Sequence, residues 1–197
     1  MRIRSFLLVA GFAGLLMQAA PVLAAESAAS FIAQAGNSVL SLARDHSLSE
    51  AELKQRLGAI ADKDFDAPRI AKFVLGRYWR TASEAERQQF IQAFENYMVQ
   101  VYASRFRQYS GAQFKVTGER QDGQTSMVTT DIARPNGQPA HVIWQVVQTP
   151  SGYKITDVSI EGISQAVTYR QEFSSVIEQN GGRIAALTQQ LRQKASS

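Results

Sequence analysis

Apolar residues recur along this chain at two spacings, and the switches between them divide it into helical, extended and again helical parts. Between Ser83 and Gln108 the residues Phe90, Ile91, Phe94, Tyr97, Met98, Val101, Tyr102 and Phe106 recur every three or four positions, the period of one apolar helix face. Ser83 followed by Glu86 predicts a capping box at the start of that helix. The helix before it opens at Asp66 with Pro68 in its first turn, and its spacing points Ile70, Phe73, Val74 and Tyr78 inward. Upstream, Phe31, Ile32, Ala35, Val39 and Leu42 predict a helix over Glu26 to Asp45. Ser49 with Glu52 opens another, facing Leu53, Leu57 and Ile60 inward.

After Gly111 the period falls to two. Gln113 to Gly118, Gln124 to Arg134, Pro139 to Gln148 and Tyr153 to Glu161 read as strands rich in Val, Ile, Thr and Trp. Turn-forming residues separate them, including Gln121-Asp122-Gly123, Pro135-Asn136-Gly137 and Thr149-Pro150-Ser151-Gly152. Such short links predict an antiparallel meander. Val142, Trp144 and Val146 form one face of the third strand, and Val128, Thr130 and Ile132 a weaker face on the second. In the fourth, Tyr153 and Ile155 fall on one parity and Val158 and Ile160 on the other, which predicts a bulge near Asp157 or burial of both faces. Helical spacing then returns with Ser164 as N-cap and Val167, Tyr169, Phe173, Val176 and Ile177 following, closed by Asn180-Gly181-Gly182. A last helix carries Ile184, Leu187 and Leu191. The pattern predicts one α+β domain: a twisted antiparallel sheet of about four strands packed by N- and C-terminal helices.

The first 24 residues change this picture. Arg2 and Arg4 precede an apolar run from Phe6 to Met17, and Pro21-Val22-Leu23-Ala24 suits cleavage after Ala24. This reads as a Sec-type signal peptide, which leaves one domain over residues 25–197. Removing Arg2 and Arg4 from 21 basic residues leaves 19 against 17 acidic, a net of +2, so the charge makes no case for nucleic-acid binding. The chain has no cysteine, which excludes a disulfide framework, thiolate chemistry and a lipid-anchored lipobox. An exported, disulfide-free chain without a lipid anchor suits a bacterial periplasm.

Catalytic constellations are sparse. His46 and His141 lie far apart in sequence without paired carboxylate spacing, so no metal site is expected. No nucleophile elbow accompanies His141 and no Gly-rich loop precedes a helix, so neither a serine triad nor a phosphate cradle is expected. Asp131, Asp157 and Glu161 are the carboxylates that an enzyme on a small apolar substrate would use as general base. Solvated or capping roles are the other reading of the same three residues. The expectation is a chain that is not an enzyme and needs no cofactor.

Two blocks carry a family resemblance. The first comprises Phe65-Asp66, Ile70-Ala71, Val74-Leu75-Gly76, Trp79-Arg80 and Ala82-Ser83, with Glu86-Arg87 and Phe90. The second comprises Asp157-Val158, Ile160-Glu161-Gly162-Ile163-Ser164, Tyr169-Arg170 and Phe173. Together they resemble the MlaC-like, or toluene-tolerance, family of periplasmic phospholipid carriers. The resemblance implies an internal apolar pocket and a monomeric shuttle that carries phospholipid between an inner-membrane ABC transporter complex and an outer-membrane lipoprotein complex, maintaining lipid asymmetry. A hopanoid-associated branch of the family leaves a different cargo open, and an envelope adaptor without cargo is a further alternative.

Withdrawing two chains of about 15 methylenes from a bilayer costs roughly 24 kcal/mol at about 0.8 kcal/mol per methylene, so a carrier must bury both deeply. The expected wall is Val128, Val142, Trp144 and Val146 on the sheet, facing Val74, Phe94, Met98, Val101 and Tyr102 on the helices. Ordinary core packing is the alternative for each. Arg80, Lys154 and Arg170 are expected at the pocket mouth or at a partner surface, with solvated or salt-bridged surface as their alternative.

Overall fold

The computed structural model describes residues 27–104, 106–133 and 137–196. The segment read as a signal peptide, and Pro135-Asn136 of one expected turn, lie outside the described residues.

Five helices come first: α1 (Ala28–Arg44), α2 (Glu50–Asp64), α3 (Ala67–Leu75), α4 (Tyr78–Thr81) and α5 (Glu84–Ala103). The caps form where the sequence places them. Ser49 with Glu52 and Ser83 with Glu86 make both reciprocal bonds of a capping box, and Asp66 accepts from the N–H of Arg69. The helix expected to run from Asp66 through Tyr78 is two, because the chain turns at Gly76. That residue ends α3 with φ 54° and ψ −120°, a region essentially confined to glycine. Phe106 does not extend α5 either; it opens a 3-10 turn, Phe106–Tyr109.

The strands are β1 (Gln113–Asp122), β2 (Thr125–Ala133), β3 (Ala140–Thr149), β4 (Gly152–Ile160) and the short β5 (Ile163–Ser164), in sheet order β1-β2-β3-β4-β5, all antiparallel. The fifth strand is two residues long, too short for a periodic signal. The parity switch in β4 is a bulge: Asp157 pairs with Gln145 and Ile155 with Val146, leaving Thr156 as the extra residue. That bulge brings Ile155, Val158 and Ile160 to the same face as Val142, Trp144 and Val146. Helices α6 (Gln165–Gln179) and α7 (Ile184–Ala195) follow. The N–H of Gly182 bonds to the carbonyl of Ile177, and Gly181 and Gly182 both have positive φ, as a glycine C-cap requires.

Burial is divided among three clusters. The largest joins α3, α5, α6 and α7 through Val74, Leu75, Phe90, Phe94, Phe173, Ile177 and Leu187. The second lies under α1, where Phe31 and Ile32 cover Val128, Val146 and Ile155 on the sheet. The third, Ala43, Leu53 and Phe106, ties α1 to α2 and the 3-10 turn. Helix α5 packs on α7, α2 and α3, and makes no extended contact with any strand.

Asp64, the last residue of α2, is a buried carboxylate with the Lys63 ammonium 4.0 Å away. Burial holds its pKa above the ordinary 3.8, against the opposing pull of Lys63 and Lys154. An acid with a raised folded-state pKa stabilises the fold below its unfolded value and withdraws that support as pH rises through the folded value. Asp64→Asn is therefore expected to raise the melting temperature at pH 7. The gain should fade as pH falls toward 3.8. A melting series from pH 3 to 8 checks this, and a lower melting temperature for the variant at pH 7 would contradict it.

Candidate functional site

The inward face of the sheet is built by register. Val128 pairs with Trp144 and Thr130 with Val142 between β2 and β3, while Trp144 pairs with Val158 and Val142 with Ile160 between β3 and β4. One end of this face is closed by α1. Beyond it cover is uneven: Trp144 and Val158 are partly buried and Ile160 stands 36% exposed, while Val142 and Thr130 are buried. The indole N–H of Trp144 donates to Thr130 Oγ1 at 2.9 Å, and the Thr130 hydroxyl leans on the Val142 carbonyl at 3.4 Å. This wall therefore satisfies its polar atoms internally and presents hydrocarbon.

The structure divides the nine residues expected to line a pocket. Val74 and Phe94 sit in the helical cluster, and Val128 and Val146 under α1, all closed over by protein. Val142 is buried too. A side chain that has spent its surface on protein neighbours has none to offer a ligand. Trp144, Met98 and Val101 keep part of their surface open, and Tyr102 is 47% exposed.

Tyr102 combines two properties that rarely coincide. Nearly half its surface is open to water, yet burial among protein atoms pushes its hydroxyl above the ordinary 10.0, with Tyr109 and Tyr97 pushing the same way. Earlier on α5, Tyr97 meets Tyr169 edge-on at 6.4 Å and Tyr169 meets Phe94 at 5.6 Å, at the edge of the helical cluster. Tyr97 and Tyr169 are visible in the sequence only as members of helical stripes. Nothing in their spacing separates a cavity wall from a core.

Arg80, Lys154 and Arg170 fall in three different settings. Lys154 donates to the carbonyls of Asp62 and Lys63, capping the last turn of α2 beside the start of α3. Arg170 lies at the opposite end of α3, about 13 Å away along a helix of nine residues. Its guanidinium packs on Gly76, where an added Cβ would stand 3.2 Å from Nε, and lies 5.0 Å from the centroid of the Phe73 ring. Phe73 is accordingly 41% exposed, not inward as its spacing suggested, because α3 turns that face toward Arg170. Arg80 is exposed on α4.

The three carboxylates weighed as a general base have structural partners. Asp157 accepts from the Ser164 hydroxyl at 2.5 Å and the Ala166 N–H at 3.0 Å, so it caps α6. Asp131 pairs across the strands with His141 Nδ1 at 2.6 Å on the outward face. Glu161, at φ 51°, accepts from the His141 N–H at 2.7 Å. Among the described residues no group of three His, Cys, Asp or Glu side chains could hold a metal, and no helix is long and apolar enough to cross a membrane. A surface cleft of about 820 Å³ runs between α2, α5 and α7 past Lys54, Asp62, Asn96 and Arg192. Its lining mixes polar and apolar groups, and it lies between helices, away from the sheet.

Comparison with known proteins bears on this geometry. Residues 33–193 match the family described as MlaC protein. The toluene tolerance protein Ttg2D of Pseudomonas putida is 24% identical over 134 residues, 67% of this chain and 60% of the relative, so the chain spans less than two thirds of that protein's length. Among solved structures, a phospholipid-binding protein from Ralstonia solanacearum, determined with a phospholipid, superposes with a TM-score of 0.76 at 22% identity, over 87% of this chain and 98% of that one. That likeness establishes the shared fold.

Proposed function

The chain belongs to the MlaC family, and we propose on that premise that it is a monomeric periplasmic lipid carrier, not an enzyme. It holds a phospholipid between the sheet and the helices and shuttles it between an inner-membrane ABC transporter complex and an outer-membrane lipoprotein complex. The observation that carries this reading is a set of apolar side chains left partly open at the edges of the core. Tyr97, Met98 and Tyr169 pack against the helical cluster and Trp144 and Val158 against the sheet cluster, each keeping part of its surface open. An apolar surface left open inside a fold calls for an apolar occupant. The relatives' names point to the chemistry of that occupant, toluene tolerance in one and phospholipid binding in the other.

The proposed lining is Met98, Val101, Tyr102 and Trp144, with Tyr97, Val158 and Tyr169 beside them. Met98 suits a deformable wall, being unbranched and polarizable. Arg170 is placed at the mouth, where its guanidinium would meet a lipid phosphate through paired N–H donors.

Native mass spectrometry of the mature protein from a periplasmic extract, followed by lipid extraction, tests the reading. A stoichiometric diacyl phospholipid adduct is expected. A hopanoid adduct would retain the mechanism and change the cargo. A bare protein that also takes up no lipid from vesicles would leave an envelope adaptor. Val101→Trp, at a half-buried position outside all three clusters, is expected to cut retained lipid about tenfold or more by filling the space. Its melting temperature should change little. Full retention by that variant would remove Val101 from the wall.

A further inference from the structure

We propose that Phe73, Ile160, Ile163 and Val167, gathered around Arg170, form a docking surface for an anionic lipid bilayer, which seats the cavity mouth on the membrane. The choice of occupant rests on the carrier reading; the patch itself is independent of it. Among the described residues the exposed large apolar side chains are Phe73, Tyr102, Ile160, Ile163 and Val167. Single apolar residues on a surface are unremarked in any protein, but four of these five fall together. Ile160 and Ile163 are cross-strand partners at the β4–β5 corner. Ser164 caps α6, which puts Val167 in its first turn and Arg170 three residues on, along the same helix side. The Arg170 guanidinium then reaches across to the ring of Phe73. Ile163, 62% exposed, is the most open of the set.

Two cations without an ion pair border the patch. Among the described residues no ion pair holds Arg170 or Lys72, the neighbour of Phe73. Arg69, a turn earlier on α3, is paired with Asp66. Glu161 stands as an acid between the two isoleucines of the β4–β5 corner, its Oε1 accepting from the neutral backbone N–H of His141. Free cations bordering exposed apolar side chains are the arrangement of a surface that sits in a membrane interface. The cations reach lipid phosphates and the apolar groups enter the acyl boundary.

Continuity with the inner sheet face favours a bilayer over an acidic protein. Ile160 belongs to the patch, pairs with Val142 and shares its face with Val158 and Trp144 of the proposed wall. A membrane docked here gives acyl chains an apolar path into the cavity, so that no methylene crosses open water. A protein partner would need only the rim.

Flotation of the mature protein with vesicles tests the assignment. Wild type is expected to float with vesicles of phosphatidylglycerol and phosphatidylethanolamine, less with phosphatidylcholine alone, and less as salt rises. Ile163→Asp and Val167→Asp should each weaken binding about ten- to a hundredfold through the lost burial of one aliphatic side chain. Val167→Asp places an acid in the first turn of α6, which favours the helix, so folding should hold. Wild type that fails to bind phosphatidylglycerol vesicles would overturn the proposal. So would variants that bind them unchanged, including variants that instead lose capture by an envelope protein. Native mass spectrometry of the same preparations separates the two readings: a wild type without lipid sinks the carrier, while the vesicle result alone decides the docking surface.

Discussion

Phe90→Ala is expected to destabilise the mature protein by about 3–5 kcal/mol, the range for emptying a packed aromatic site. Phe90 is fully buried on α5. Its ring stacks on Phe94 with centroids 5.7 Å apart and receives the edge of Phe173 from α6 at 5.9 Å. The loss therefore removes both hydrocarbon burial and two oriented aromatic contacts, and leaves a cavity where α5 meets its neighbours. At about 2–4 °C per kcal/mol for a chain of this size, the melting temperature should fall by on the order of 10 °C. Urea unfolding of the lipid-free protein measures the change without a ligand contribution. A loss below about 1 kcal/mol would mean that the helices collapse around the gap, and that the helical cluster is not the rigid part of the fold.

Gly76→Ala is expected to cost about 1–3 kcal/mol because the backbone there occupies a glycine-only region. The φ of 54° with ψ of −120° is set by the corner between α3 and α4 and cannot relax without moving one of them. A second consequence concerns Arg170, whose guanidinium would lie 3.2 Å from the new Cβ. A long side chain can swing aside, so the steric part should be small and the backbone part should persist. Gly76→Ala combined with Arg170→Gln separates the two. The double variant should remain about as destabilised as Gly76→Ala alone relative to Arg170→Gln. Full recovery in the double variant would place the strain in the Arg170 contact and not in the backbone. Displacement of Arg170 is also expected to weaken lipid retention, which native mass spectrometry of Gly76→Ala reads directly.

These outcomes bear on why some expectations from the sequence held and others did not. The caps at Ser49, Asp66, Ser83 and Ser164, the meander and the β4 bulge depend on interactions within a few residues or on strict alternation. Local rules express them fully. Phe73 failed because a three-to-four spacing marks a stripe but not its neighbour; its face of α3 meets the Arg170 guanidinium and is left 41% exposed. The break at Gly76 was ambiguous for a similar reason, since a lone glycine is tolerated inside a helix and only its φ shows that it ends one. β5 escaped notice because two residues carry no period.

The pocket residues divide along the same line. Apolar spacing selected Val74, Phe94, Val128, Val142 and Val146 together with Met98, Val101, Tyr102 and Trp144, and treated the nine alike. By itself the sequence determined the succession of helical, extended and helical segments, the caps, the inward face of the sheet and the resemblance to a family, because each is written in local spacing or in contiguous blocks. Tertiary structure alone decided which apolar residues spend their surface on one another and which keep it open. Coverage is a property of what arrives from elsewhere in the chain: α1 closes over Val128 and Val146, and α6 over Phe94, while no described element covers Tyr102 to the same degree. A filled core and a lined cavity obey one hydrophobic pattern, and differ only in whether a neighbour is there.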